Sequence, residues 1–304
     1  MIDYNFPGTT GVLDKPITVS GTNIEIVRPY DGRKLTTVLF DFDGTLSLER
    51  DGWPDLMVST NSAALAQAVP SMRVDEAVKW VIEDIEKTIG LPTYMQMKRL
   101  TEYIKRRGGT ALEPQRYKDT YNNALVAMVR SKYRELETGE LTLNDLRVTG
   151  ALDLLKELSR NAGFKGGLYL ASGTDIGPIE KSARLLKYKE YFGKRIVASG
   201  STGNPEQCPK KLVIDRLIKE QNLQSGQILC FGDGFPEILY AYHANGVCVG
   251  VLTPDHSHYE HRGHFTVENK RARLIHAGAH ILVPDFRDAS YLVQIVCSHH
   301  FREA

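Results

Sequence analysis

Beyond Thr149 the chain alternates between two rhythms without a break. A helix-period segment over 151–160 leads to the apolar run Leu168-Tyr169-Leu170-Ala171-Ser172. Helix 176–187 leads to a strand at 195–197, helix 210–221 to 227–231, helix 236–244 to 247–251, and helix 268–277 to 280–283, with a last helix at 288–297. The short apolar runs suit strands buried on both faces, and the intervening segments repeat apolar residues at helical spacing. A chain that alternates in this way pairs its strands in parallel, because each helix carries it back to the edge it started from, with right-handed crossovers. The expected fold is α/β, a Rossmann-like parallel sheet. Side chains that follow the strands then gather beyond their carboxyl ends.

An earlier segment, Thr37-Val38-Leu39-Phe40-Asp41-Phe42-Asp43-Gly44-Thr45-Leu46, reads as one more buried strand, ending in acids and a glycine. Between it and the alternating region the pattern turns helical. Val74, Val78, Val81, Ile82, Ile85 and Ile89 recur at three and four, and Gly90-Leu91-Pro92 stops them. A helix from Thr93 to Arg107 ends at Gly108-Gly109, and another starts at Pro114 with Tyr117, Tyr121, Leu125 and Met128 on one face. The organisation expected is an α/β core over 37–50 and 147–304, interrupted by a helical insert over 51–146. Residues 1–36 form a turn-rich extension with a β-hairpin, Ile17-Thr18-Val19 against Ile24-Glu25-Ile26-Val27.

The sheet edge collects carboxylates. Asp41 and Asp43 repel each other unless a proton or cation neutralises them, and Asp233 in Phe231-Gly232-Asp233-Gly234 adds a third. A hard divalent ion such as Mg²⁺ takes oxygen ligands of this kind, together with a substrate phosphate. One carboxylate can then attack phosphorus while the other protonates the leaving oxygen and later activates water. Ser172-Gly173-Thr174, ahead of a helix, offers a hydroxyl and backbone N–H groups to an anion. A lysine is needed to balance the remaining charge, and Lys210 and Lys211 both stand at the start of a helix near this edge.

Charge and hydropathy narrow the partners. Lys plus Arg number 38 and Asp plus Glu 37, for a net charge of +1, so no global basic field attracts nucleic acid. The longest apolar stretch, Val247 to Leu252, is too short to span a bilayer. The first residues show neither the basic nor the apolar region of a secretory signal. The four cysteines form no C-x-x-C pair, which fits a reducing cytoplasm.

With these residues in view, the chain resembles the haloacid dehalogenase superfamily. Asp41-Phe42-Asp43-Gly44-Thr45-Leu46 is similar to its first motif, Ser172 after an apolar strand to its second, Lys210 to its third, and Gly232-Asp233-Gly234-Phe235-Pro236-Glu237 to its fourth. Order and spacing agree over roughly 36–298. The resemblance implies Mg²⁺-dependent phosphoryl transfer, with Asp41 as nucleophile and Asp43 as acid/base. It implies a metal held by Asp41, Asp43, Asp233 and Glu237, although the family usually has a second Asp where this chain has Glu237. Thr45, Ser172, Gly173 and Lys210, with Lys211 as the alternative lysine, would meet the phosphoryl group. The helical insert resembles the family's C1 cap.

The activity expected is hydrolysis of a small phosphomonoester, such as a sugar phosphate, through an aspartyl-phosphate. A phosphomutase of the β-phosphoglucomutase type would use the same residues. A dehalogenase would not need Asp43, and a non-catalytic binding module would not need four intact motifs. In the insert, the polar stretch Thr88 to Gln96 is placed to read the substrate, with Gln96 its contact, or is a plain turn capped by Thr93. Trp53-Pro54 is a hinge candidate or a packed aromatic. His256, His258, His261 and His264 crowd one segment, but without the helical spacing of a zinc site. Lys105-Arg106-Arg107 suits a solvated helix end.

Overall fold

Strand β3 (Thr37–Phe40) is buried along its whole length, because a neighbour lies on each side and helices cover both faces. This computed structural model describes residues 5–30, 34–199, 203–204, 206–220 and 226–298. Residues 1–4 and 31–33 of the extension, position 221 of the expected helix and 299–304 of the expected core lie outside the described residues.

The other strands are β1 (Ile17–Thr18), β2 (Glu25–Ile26), β4 (Gly167–Asp175), β5 (Ile196–Ser199), β6 (Ile228–Gly232), β7 (Val247–Val251) and β8 (Ile281–Val283). They form one sheet in the order β1-β2-β8-β7-β6-β3-β4-β5. From β8 to β5 every pairing is parallel, as the alternating sequence requires. Phe40 pairs with Leu170 of β4 on one side and Phe231 of β6 on the other. The chain leaves β3 toward β4 and β5, then returns to build β6, β7 and β8 on the opposite side. β3 is therefore the switch point of the sheet, where such folds leave a crevice at the carboxyl ends.

The helices of the α/β part are α5 (Ala151–Arg160), α6 (Ile176–Leu185), α7 (Lys189–Phe192), α8 (Pro209–Glu220), α9 (Phe235–His243), α10 (Val267–Ala277) and α11 (Ala289–Cys297). One sheet face carries Val38, Phe40, Phe231 and Val249 toward Leu154, Leu155 and Leu292. The other carries Leu39, Cys230 and Cys248 toward Ile214, Ile238 and Leu274. Phe40 stacks on Phe231 with ring centroids 4.7 Å apart.

Between β3 and α5 lie α1 (Trp53–Ala68), α2 (Val74–Thr88), α3 (Thr93–Arg106) and α4 (Pro114–Thr138). They pack around a core of their own, including Met57, Leu65, Val81, Ile85, Met97, Leu100, Ile104 and Tyr121. The sequence did not resolve α1, whose middle, Ser59-Thr60-Asn61-Ser62, interrupts the apolar rhythm. The single turn of α7 also carries too few residues for a periodic signal.

The hairpin expected in the extension forms, with Ile17 opposite Ile26 and Thr18 opposite Glu25. It also joins the main sheet: β2 runs antiparallel to β8, pairing Ile26 with Ile281. Ile24 and Ile26 are each 1% exposed, and Tyr30 donates its hydroxyl to the Ile295 carbonyl at 3.0 Å. Ile24, Ile26, Val27 and Tyr30 thus join the core, while β1 stays exposed.

Candidate active site

β3 delivers Asp41 to the crevice, and its N–H continues the sheet by donating to the Phe231 carbonyl at 2.9 Å. The chain then turns at Gly44, which adopts a left-handed φ of 75°. A Cβ there would collide with the Asp233 carboxylate, so only glycine lets the two loops close on each other. Asp233 follows β6, next to β3 in the sheet. Asp41, Asp233 and Glu237 each bring a carboxylate oxygen within 4.8 Å of the others.

Lys210, at the start of α8, is 2% exposed and lies 3.1 Å from Asp41 Oδ2 and 2.6 Å from Glu237 Oε2. Lys211 points away and pairs with Asp215 at 2.6 Å. Burial works against the Lys210 charge, but Asp41 and Glu237 outweigh it and hold the ammonium well above the usual lysine range. Burial pushes the Asp41 carboxyl well above the carboxylate range against the pull of Lys210, and Glu237, Asp233 and Asp43 push it further. A divalent cation at this point would reverse that balance. The donor set is all oxygen, which fits Mg²⁺ rather than a softer metal.

Of the four acids expected around the metal, Asp41, Asp233 and Glu237 cluster, and Asp43 is not part of that group. The Asp43 carboxylate accepts from Arg50 Nη1 at 2.8 Å and from the Thr174 hydroxyl at 2.9 Å. These two partners hold it apart from the three clustered carboxylates. Glu237 belongs to the cluster, yet Oε2 is taken by Lys210 and Oε1 accepts the Gly234 N–H at 2.8 Å. Its longer side chain folds back on its own helix start, where it positions Lys210.

Above the acids is a cavity of about 390 Å³. Asp41, Asp43, Ser172, Gly173, Lys210 and Asp233 line its floor, and residues of α1, α4 and the α2–α3 junction line its roof. Gly90, with φ 88°, sits so close to Pro236 that a Cβ would fall 2.7 Å from its ring. The junction of α2 and α3 therefore rests on the loop that carries Asp233. Gln96 lines the cavity, but its amide nitrogen donates to the Thr88 carbonyl and hydroxyl at 3.3 and 3.2 Å. Thr45, expected beside the substrate, is fully buried, does not line the cavity, and leaves its hydroxyl unpartnered. The Gly44 turn sends it into the core.

Several site residues carried no sequence signal. Arg50 links Asp43 to Ser182 and lies 3.5 Å from Glu49, whose Oε1 accepts from Tyr133 of α4. Lys270 on α10 is 1% exposed and donates to Asp233 Oδ2 at 3.1 Å, Asp255 Oδ1 at 2.9 Å and the Thr253 carbonyl at 2.7 Å. A lone lysine on an amphipathic helix reads as solvated until the fold buries it.

Among the described residues no histidine joins a group of possible metal ligands. His256 Nδ1 lies 2.6 Å from Asp51 Oδ2, and His264 Nδ1 lies 3.2 Å from Glu86 Oε1. Ser257 and the His258 N–H donate to Asp55. This stretch between β7 and α10 instead ties the α/β part to the helical insert, with Phe265 buried in the insert's core.

A Rossmann-like sheet with clustered acids at its switch point and a roof of inserted helices defines a class of hydrolases. The chain belongs to the haloacid dehalogenase-like hydrolases, whose family model matches residues 35–245. Curated protein sequences yield no match. Among solved structures, a phosphonoacetaldehyde hydrolase-like protein from Oleispira antarctica is 12% identical with a TM-score of 0.57, covering 89% of this chain and 95% of its own. A predicted phosphoglycolate phosphatase from Haemophilus somnus is 17% identical with a TM-score of 0.54, covering 86% and 99%. A β-phosphoglucomutase from Clostridium difficile is 17% identical with a TM-score of 0.52, covering 86% and 97%. At these identities the likeness concerns the fold. No helix among the described residues is long and apolar enough to cross a membrane.

Proposed function

We propose that this hydrolase is a Mg²⁺-dependent phosphatase of a small phosphomonoester, acting through an aspartyl-phosphate on Asp41. The observation that carries the reading is Asp41 at the cavity floor, between Lys210 and Asp233, with Asp43 on the same loop. Asp41 and Asp233 would hold the metal, which when bound neutralises charge on the phosphoryl oxygens. Lys210 adds a fixed positive charge, and Ser172 and the Gly173 backbone line the side where the phosphoryl oxygens would sit.

In the first step an Asp41 oxygen bonds to phosphorus, the bond to the leaving alcohol breaks, and Asp43 gives that oxygen a proton. In the second, Asp43 takes a proton from water as the water oxygen bonds to phosphorus, releasing Asp41 and phosphate. Arg50 and Thr174 aim the Asp43 carboxylate. The α1–α4 unit acts as a cap over the site, as in the family's C1 type, and its roof favours small substrates over proteins. The four cysteines are free, which supports a reducing compartment such as the cytoplasm.

Phosphate release from an activated aryl phosphate tests the reading. Turnover should require Mg²⁺, stop with a chelator, and vanish in Asp41→Asn while the circular dichroism spectrum is kept. Wild-type rates in that variant would rule out the covalent route. Isomerised sugar phosphate in place of free phosphate would identify a mutase.

A further inference from the structure

Resting on the phosphatase reading, we infer that the alcohol carried by the substrate is apolar, an alkyl or aryl skeleton rather than a polyhydroxylated sugar. The roof of the cavity presents Trp53, Met57, Ile89, Leu91, Leu125 and Val129. Most of the polar side chains interspersed with them have partners; Arg130 and Lys181 also line the cavity, both exposed, with Lys181 over the Tyr133 ring. Gln96 donates to Thr88, Asn122 to Asp175 at 3.3 Å, Lys118 to Asp175 at 2.8 Å, and Tyr133 to Glu49 at 2.9 Å. On the floor Thr174 donates to Asp43, and Ser182 accepts from Arg50. Apart from Arg130, Lys181 and the hydroxyls of Thr93 and Tyr121, the side chains that could meet hydroxyls already hold partners, and the remaining roof is hydrocarbon.

A sugar bound here would exchange water for that hydrocarbon around most of its hydroxyls, and each one left without a partner weakens binding. An alkyl or aryl group loses nothing on the same transfer and gains the buried area. Thr93 and Tyr121 line the cavity too, and their hydroxyls can serve an isolated polar group but not a ring of them. The phosphoryl end keeps its own polar floor, so the cavity is amphipathic along the direction in which a phosphomonoester would lie.

The test compares hexyl phosphate with glucose 6-phosphate on the full chain with Mg²⁺. Both expel a primary alkoxide of similar size, so intrinsic reactivity does not separate them. Hexyl phosphate should be favoured in kcat/KM by about a hundredfold or more, the order seen when an apolar pocket rejects added hydroxyls. Val129→Thr, nearly the same shape, should narrow that preference severalfold while the circular dichroism spectrum is kept. Equal or better turnover of glucose 6-phosphate overturns the inference and leaves the phosphatase reading standing. No Mg²⁺-dependent hydrolysis of either ester or of the aryl phosphate overturns both.

Discussion

Lys210 shows how one side chain balances a site. It is the closest cation to both Asp41 and Glu237, and all three are buried. Lys210→Met removes the positive charge and leaves the two acids uncompensated. The expected loss is about 3–5 kcal/mol in urea unfolding, together with activity. Glu49 sets a different condition. Burial raises its carboxyl above the ordinary 4.5, although Ser182, Arg50 and Tyr133 pull it down. A folded carboxyl that holds its proton more tightly than the unfolded one contributes stability below the unfolded pKa and loses it as pH rises through the folded value. Glu49→Gln should therefore gain on the wild type in urea unfolding as pH rises above 4.5, and a difference that does not change with pH would refute the assignment. The motif acids were readable because two carboxylates and a glycine behind an apolar strand have few other uses. Arg50 and Lys270 were not, since charged residues in a loop or on a helix look solvated until neighbours from remote segments enclose them.

Among the elements, the segment between β7 and α10 is the one whose role changed most. Its histidines and Ser257 meet Asp51, Asp55 and Glu86 of the insert, and Phe265 enters the insert's core at a left-handed φ of 55°. Its root is joined to the site, because Thr253 donates to the Gly44 carbonyl and Lys270 holds Asp233. Phe265→Ala should cost about 3–5 kcal/mol from the vacated core position. Hydrogen exchange should show the loss in α1 and α2 more than in β6 and β7, and uniform deprotection would mean that the segment does not act on the insert. The strands were legible because parallel strands buried on both faces are continuous apolar runs. α1 was not, because its polar middle hides a helix that tertiary packing stabilises.

At the scale of the molecule, the extension closes the sheet. β2 covers the edge of β8, and Ile24, Ile26 and Val27 are buried against the core. Each of those side chains contributes about 1.5–3 kcal/mol on burial. A chain starting at residue 34 should melt lower and aggregate, because it exposes both the β8 edge and the apolar surface that the hairpin covers. Light scattering during a thermal ramp would show this, and a truncated chain as soluble and stable as the full one would contradict it. The hairpin itself was readable from its turn, but the strand it pairs with lies more than two hundred residues away and leaves no local mark.

The sequence by itself determined the parallel α/β sheet, the inserted helices and the acids at the switch point. Those follow from hydrophobic period and from close spacing along the chain, which are local properties. The tertiary structure alone decided that Lys210 rather than Lys211 meets Asp41, that Glu237 holds this lysine, and that Asp43 is held by Arg50. It also decided that Gln96, Lys118, Asn122 and Tyr133 of the insert hold partners of their own. These outcomes depend on which remote side chains share a buried space, where each polar group must find a partner, and spacing along the chain does not encode that.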